Sequence, residues 1–178
     1  MLKKALIGLF FLFLTFIIPL TVYLADTPFV KAQNKVVYDL PYPGILPDHP
    51  LYFIKSFRDQ INLFFTRDYQ KKAELYLLYS DKRVASSILI LYNGKEKLAL
   101  DTLAKGEKYF FKIPFLIVQA KKQGQNFTKE LIEKIKNANE KHAEVIDDFF
   151  KKVSEEQNSY LLEIQKINKD IKAKLTSF

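Results

Sequence analysis

The feature that most constrains this chain is a run of apolar residues from Ala5 to Ala25, immediately after Lys3 and Lys4. A helix of that length rises about 30 Å, the thickness of a bilayer core. Basic residues followed by apolar sequence mark an export signal or a membrane anchor. The length favours an anchor, with Lys3 and Lys4 inside and the remainder of the chain outside the cytoplasm. A cleaved signal is the rival, because Val30 and Ala32 occupy the −3 and −1 positions of a small-residue cleavage site. Residues 1–32 are therefore read as signal peptide or transmembrane anchor, and both readings stay open.

An exported domain must hold itself together, and this one has no cysteine with which to do so. Its stability has to come from packing. With 48% hydrophobic and 27% charged residues, the balance is that of a globular domain. Sixteen Phe and ten Tyr, with no Trp, promise a core rich in phenyl rings. The missing cysteine also excludes thiol chemistry and a cysteine zinc site.

Residues 33–48 form a Pro-rich connector. Pro41, Pro43 and Pro47, with Pro50 just beyond, fix the backbone in extended geometry, and Pro43-Gly44 signals a turn. The connector is too apolar for a free linker, so part of it should pack across helices as a strap.

Residues 49–178 read as a helical bundle. Asp48 is placed to cap a helix over about 49–65, whose Ile54, Phe57, Ile61 and Phe64 share one face and should point inward. Asp68 caps a second helix over about 69–93, stopped by Asn93-Gly94. Its expected seam is Glu74, Leu77, Asp81, Val84, Ile88 and Leu91. A third helix spans about 96–122 with Ala99, Leu103, Gly106, Phe110, Ile113, Ile117 and Ala120 inward, and Pro114 should kink or split it near residue 113. A fourth covers about 128–152, with Leu131, Ile135, Ala138, His142, Val145 and Phe149 on its seam. Ser154 and Gln157 match a capping box ahead of a last helix to about 175, with Tyr160, Ile164, Ile167, Ile171 and Leu175 inward. No run alternates with period two long enough to be a strand. The fold class is all-α: an irregular antiparallel four- to five-helix bundle preceded by the strap and an N-terminal hydrophobic helix.

Chemistry-bearing residues are few. His142 lies on an apolar seam, as do Glu74 and Asp81 one heptad apart. Buried carboxylates are costly unless paired, so a polar cluster inside the bundle follows. It is either a metal- or ligand-binding or acid–base site centred on Glu74, Asp81 and His142, or a structural network in which His142 or Arg83 satisfies the carboxylates. The di-iron pattern fails for want of a second Glu-x-x-His motif. His49, between two prolines, reads as a turn residue. There is no Gly-rich phosphate loop, Gly-x-Ser-x-Gly elbow or His-Glu-x-x-His motif. No catalytic residue and no cofactor are assigned.

The net charge is +8, and residues 94–136 carry ten basic against five acidic side chains. Lys105, Lys108 and Lys112 of that stretch form a candidate partner surface for anionic headgroups, an acidic wall polymer or another envelope protein. A plain solvated face is the alternative. No nucleic-acid module is present, and export argues further against one.

The stretch Tyr42-Pro43-Gly44-Ile45-Leu46-Pro47-Asp48-His49-Pro50-Leu51-Tyr52-Phe53-Ile54-Lys55 resembles an uncharacterised bacterial family, a domain of unknown function whose members are exported or membrane-anchored helical proteins. The likeness continues through Lys71-Lys72-Ala73-Glu74-Leu75, Ser80-Asp81-Lys82-Arg83 and Glu140-Lys141-His142-Ala143-Glu144-Val145. It implies one domain over about 38–153 and carries no activity or cofactor. The Phe-rich segment 109–118 departs from that pattern and is either a specialised contact surface or ordinary core beside Pro114. The chain is thus read as a non-enzymatic, membrane-associated, extracytoplasmic interaction module of the cell envelope. Its rivals are the ligand-binding bundle and a regulatory ectodomain acting through a membrane partner.

Overall fold

The computed structural model describes residues 36–178, and the expected anchor or signal over 1–32 lies outside them. Among the described residues there are six α-helices and one 3-10 turn. These are α1 (Tyr52–Phe65), α2 (Tyr69–Tyr92), α3 (Glu96–Phe110), α4 (Lys112–Lys122), α5 (Lys129–Phe150) and α6 (Asn158–Leu175), with the turn at Glu155–Gln157. No strand occurs among them, and none of their helices is long and apolar enough to cross a membrane. The all-α bundle expected from periodicity is the fold.

Local chemistry sets most helix ends. The Asp68 side chain accepts from Lys71 N–H at 2.7 Å, and Thr128 accepts from Leu131 N–H at 3.3 Å. Gly94 and Gly124 adopt φ of +75° and +74° just past α2 and α4, a conformation that only glycine reaches without strain. The Lys95 and Gln125 N–H groups then reach back to the carbonyls of Ile90 and Ala120. Pro114 has no N–H for the Phe110 carbonyl, and the third helical rod breaks at Phe111 into α3 and α4. In the first turn of α4 that missing donor is harmless.

Two expected caps are not used. α1 begins at Tyr52, and Asp48 pairs instead with Lys95 at 2.7 Å. His49 makes the turn: its Nδ1 accepts from Leu51 N–H at 3.1 Å. The Ser154–Gln157 box does not form, because the Ser154 N–H and hydroxyl both donate to Glu96 Oε2. In each case a partner distant in sequence competes successfully for the capping side chain.

Two helical hairpins make the bundle. In the first, Gly106 of α3 lies against Ser80, Arg83 and Val84 of α2; the Ser80 hydroxyl donates to the Gly106 carbonyl at 2.9 Å. In the second, Asn139 of α5 and Asn168 of α6 exchange side-chain-to-backbone bonds at 3.2 and 3.3 Å. Pairing between residues equidistant from each connecting loop means that both hairpins are antiparallel. All the inward positions expected for the third and fourth helical segments are buried. The strap crosses the bundle, with Val36 N–H donating to Glu144 at 2.8 Å and Tyr38 and Leu40 packed on the core.

α1 departs from expectation. Ile54, Phe57, Ile61 and Phe64 are all exposed, together with Phe53 and Phe65. The helix buries Asp59 and Leu63 instead, and two of its polar side chains reach neighbours: Asn62 donates to the Tyr79 hydroxyl, and Lys55 donates to the strap carbonyls of Pro43 and Ile45. Apolar periodicity identifies a stripe, but the direction it faces is set by the neighbours available. α1 is peripheral, and its principal neighbour is α2.

Candidate functional site

The core comes in two apolar halves. One gathers Leu77, Phe110, Ile113, Ile135, Ala138 and Ile171 with their neighbours. The other gathers Val84, Leu103, Ala104, Val145, Ile146 and Ile164 with theirs. Between them lies a polar level to which four helices contribute: Asp81 on α2, Glu107 on α3, Asn139 and His142 on α5, and Asn168 on α6, all buried.

These side chains form a continuous hydrogen-bonded chain. His142, fully enclosed, donates from Nε2 to Asp81 Oδ1 at 3.0 Å and from Nδ1 to Glu107 Oε1 at 2.8 Å. Tyr38 of the strap donates to the second oxygen of Asp81 at 2.6 Å, and Asn168 donates to the second oxygen of Glu107 at 3.2 Å. An imidazole with a carboxylate on each nitrogen is held as the doubly protonated cation. Burial is the largest single influence on it and pushes its pKa down. The charge of Glu107, the hydrogen bonds to Asp81 and Glu107, and the charge of Asp81 together outweigh burial and raise it to about 9. Burial, followed by the charge and hydrogen bond of Asp81, holds the Tyr38 hydroxyl protonated far above its ordinary range. One imidazolium against two carboxylates leaves one negative charge, which the Tyr38 and Asn168 donors help to spread.

Of the three residues expected in this cluster, the structure brings together Asp81 and His142. It does not include Glu74, which is exposed and receives only a long 3.4 Å bond from Gln70. At that level Ala73 faces the core, and one residue of offset turns a side chain by about 100°. Glu107 takes the place assigned to Glu74. Arg83 does not serve the carboxylates either: it donates to the Tyr79 carbonyl at 3.1 Å and stacks on the Tyr109 ring. Glu107 and Asn168 were detectable in principle. Glu107 falls four residues after Leu103 and three before Phe110, and Asn168 falls four after Ile164 and three before Ile171, so each interrupts an apolar stripe. Tyr38, in an aperiodic strap, left no such signal.

The two carboxylates sit on opposite nitrogens of one ring and cannot converge on a single ion. Among the described residues, no group of three or more His, Asp or Glu side chains is disposed to hold a metal ion.

A second candidate lies on the surface. Lys105, Lys108 and Lys112 are exposed and have no carboxylate partner within ion-pair distance among the described residues. Further along the same helical segment opens a cleft of about 310 Å³, lined by Phe111, Pro114, Phe115, Val118, Lys174, Ser177 and Phe178. The Lys174 ammonium stands 5.5 Å from the Phe111 ring centroid, and that of Lys121 stands 4.5 Å from the Phe178 ring centroid. An aromatic floor rimmed by cations suits an anionic ligand that also has apolar surface. The Phe-rich segment expected to be special thus splits. Phe110, Ile113 and Ile117 are core, while Phe111, Phe115 and Val118 line the cleft.

Comparison with known proteins adds one match. The family model described as Domain of unknown function (DUF5667) covers residues 44–172. No curated protein and no solved structure matches the chain.

Proposed function

The chain belongs to the DUF5667 family, and on that premise we propose that it is a non-enzymatic, membrane-associated interaction module of the cell envelope. Residues 5–25 hold it to the membrane, and the bundle stands outside the cytoplasm. Its partner is an acidic segment of another envelope protein, which inserts an apolar side chain into the Phe111–Phe115–Phe178 cleft.

The observation that supports this reading is an aromatic cleft edged by the ammonium groups of Lys174 and Lys121, on the helical segment that also carries the exposed Lys105, Lys108 and Lys112. An anionic polymer would use the lysines alone, whereas the aromatic floor asks for apolar contact as well. The buried cluster supports the same reading from the other side. Asp81, Glu107 and His142 are saturated by one another and sealed from solvent, which suits a device that sets helix register rather than one that meets a substrate.

A photo-reactive amino acid at exposed Phe115, in the full chain expressed in its native cells, tests the proposal. An adduct with one acidic envelope protein is expected, lost when Lys105, Lys108 and Lys112 are together changed to Gln. No adduct, or an adduct indifferent to the three lysines, would overturn it.

A further inference from the structure

α1 is amphipathic in the wrong direction for a bundle helix. Its six large apolar side chains (Phe53, Ile54, Phe57, Ile61, Phe64 and Phe65) occupy one arc, and all are between 39% and 73% exposed. The opposite, polar arc is the one bonded to the protein, through Lys55 to the strap and Asn62 to Tyr79. The outward arc is therefore held in place by specific contacts.

With Phe side chains contributing roughly 150–250 Å² each when fully covered, the displayed patch comes to roughly 600 Å². That is at or above the largest apolar patch of a typical soluble monomer, about 300–600 Å². What covers it can be decided by shape and charge. Two α1 cylinders from two copies would meet along a line and hide only part of each arc. A bilayer surface covers the whole arc without matching any contour. At the edge of the arc stands Arg58, largely exposed and paired with the buried Asp59 at 2.8 Å, and Arg67 follows the helix. Phenyl rings edged by basic groups are the composition of a helix that lies in a membrane interface.

We propose that the outward face of α1 lies in the interface of an anionic lipid bilayer, its phenyl rings at the acyl boundary and its basic margin among the headgroups. This inference rests on the membrane-association reading above, and makes the bundle a body docked on the bilayer rather than one hanging from it.

The chain has no tryptophan, so a single introduced one reports unambiguously. Phe57→Trp and, as control, Leu162→Trp on exposed α6 are each placed in the full chain. Each variant is mixed with phosphatidylethanolamine–phosphatidylglycerol vesicles containing brominated acyl chains. The expected result is flotation of both variants, with the emission of Phe57→Trp quenched at least about twofold at the 5–10 Å depth of an interfacial helix and that of Leu162→Trp unchanged. Flotation with both emissions unchanged would overturn the α1 inference while leaving the anchor in place. Failure to float would overturn both. A blue-shifted Phe57→Trp emission that appears without vesicles and is insensitive to bromine would assign the face to a second copy, against the proposal.

Discussion

At the centre of the bundle Asp81, Glu107 and His142 are shut away from water, while on α1 six large apolar side chains stand in it. Each region breaks the usual hydropathy rule, in opposite senses and for different reasons. The charged trio is tolerable because each member meets a partner of opposite charge within 3.0 Å and the remaining oxygens accept from Tyr38 and Asn168. The α1 face has no such internal compensation, because nothing in the bundle covers it. The difference teaches that an inward violation is explained by pairing inside the fold, whereas an outward one calls for something outside it.

The comparison breaks most visibly at His142. His142→Leu removes the only cation between two buried carboxylates, and should lower stability by about 3–5 kcal/mol, measured by urea unfolding near pH 6. Changing Asp81, Glu107 and His142 together to Leu leaves no unpaired charge and should recover part of that loss. A single variant as stable as the parent would mean that the trio is not the ionic network described.

The same trio sets a pH dependence. The imidazole titrates near 6.5 when unfolded and near 9 when folded. The folded state therefore holds the proton more tightly. The resulting stabilisation is whole below about pH 6.5, declines as pH rises and is lost through pH 9. It amounts to a few kcal/mol at most, since one pKa unit corresponds to about 1.4 kcal/mol. Urea midpoints across this window should fall for the parent chain and stay level for His142→Leu once its lower baseline is allowed for.

The outward region predicts a smaller contrast within one helix. Leu63, on the inward arc of α1, is 8% exposed. Leu63→Ala should cost about 2 kcal/mol, the low end for a buried leucine on a peripheral helix. Phe57→Ser, removing a larger group from the outward arc, should change the stability of the detergent-free soluble state by under about 0.5 kcal/mol. Equal losses from both would show that the arc is covered within the fold and would remove the reason for seeking an external surface.

Much of the fold was legible because its signals are local. Asp68, Gly94 and Pro114 act on backbone groups within a turn of themselves, and each marks a helix end or break as expected. Asp48 and Ser154 carry the same kind of signal and misled, since Lys95 and Glu96 claim their side chains from 47 and 58 residues away. The site was half legible: Asp81 and His142 could be singled out as polar residues on apolar seams. Their true companion, Glu107, had to be told from Glu74 by which stripe each helix buries, and that depends on neighbours not yet placed.

The sequence alone determined the helical class, the family, those helix ends marked by Asp68, Gly94 and Pro114, and the presence of a histidine among core residues, because each follows from composition, from a short motif or from a repeat of 3.6 residues. The tertiary structure alone decided which way each stripe faces and which charges meet. His142 finds Glu107 and Asp81 at separations of 35 and 61 residues, and the apolar stripe of α1 turns outward because its polar side bonds to the strap and to α2. Periodicity defines a face; only the packing of one helix against another gives that face something to meet.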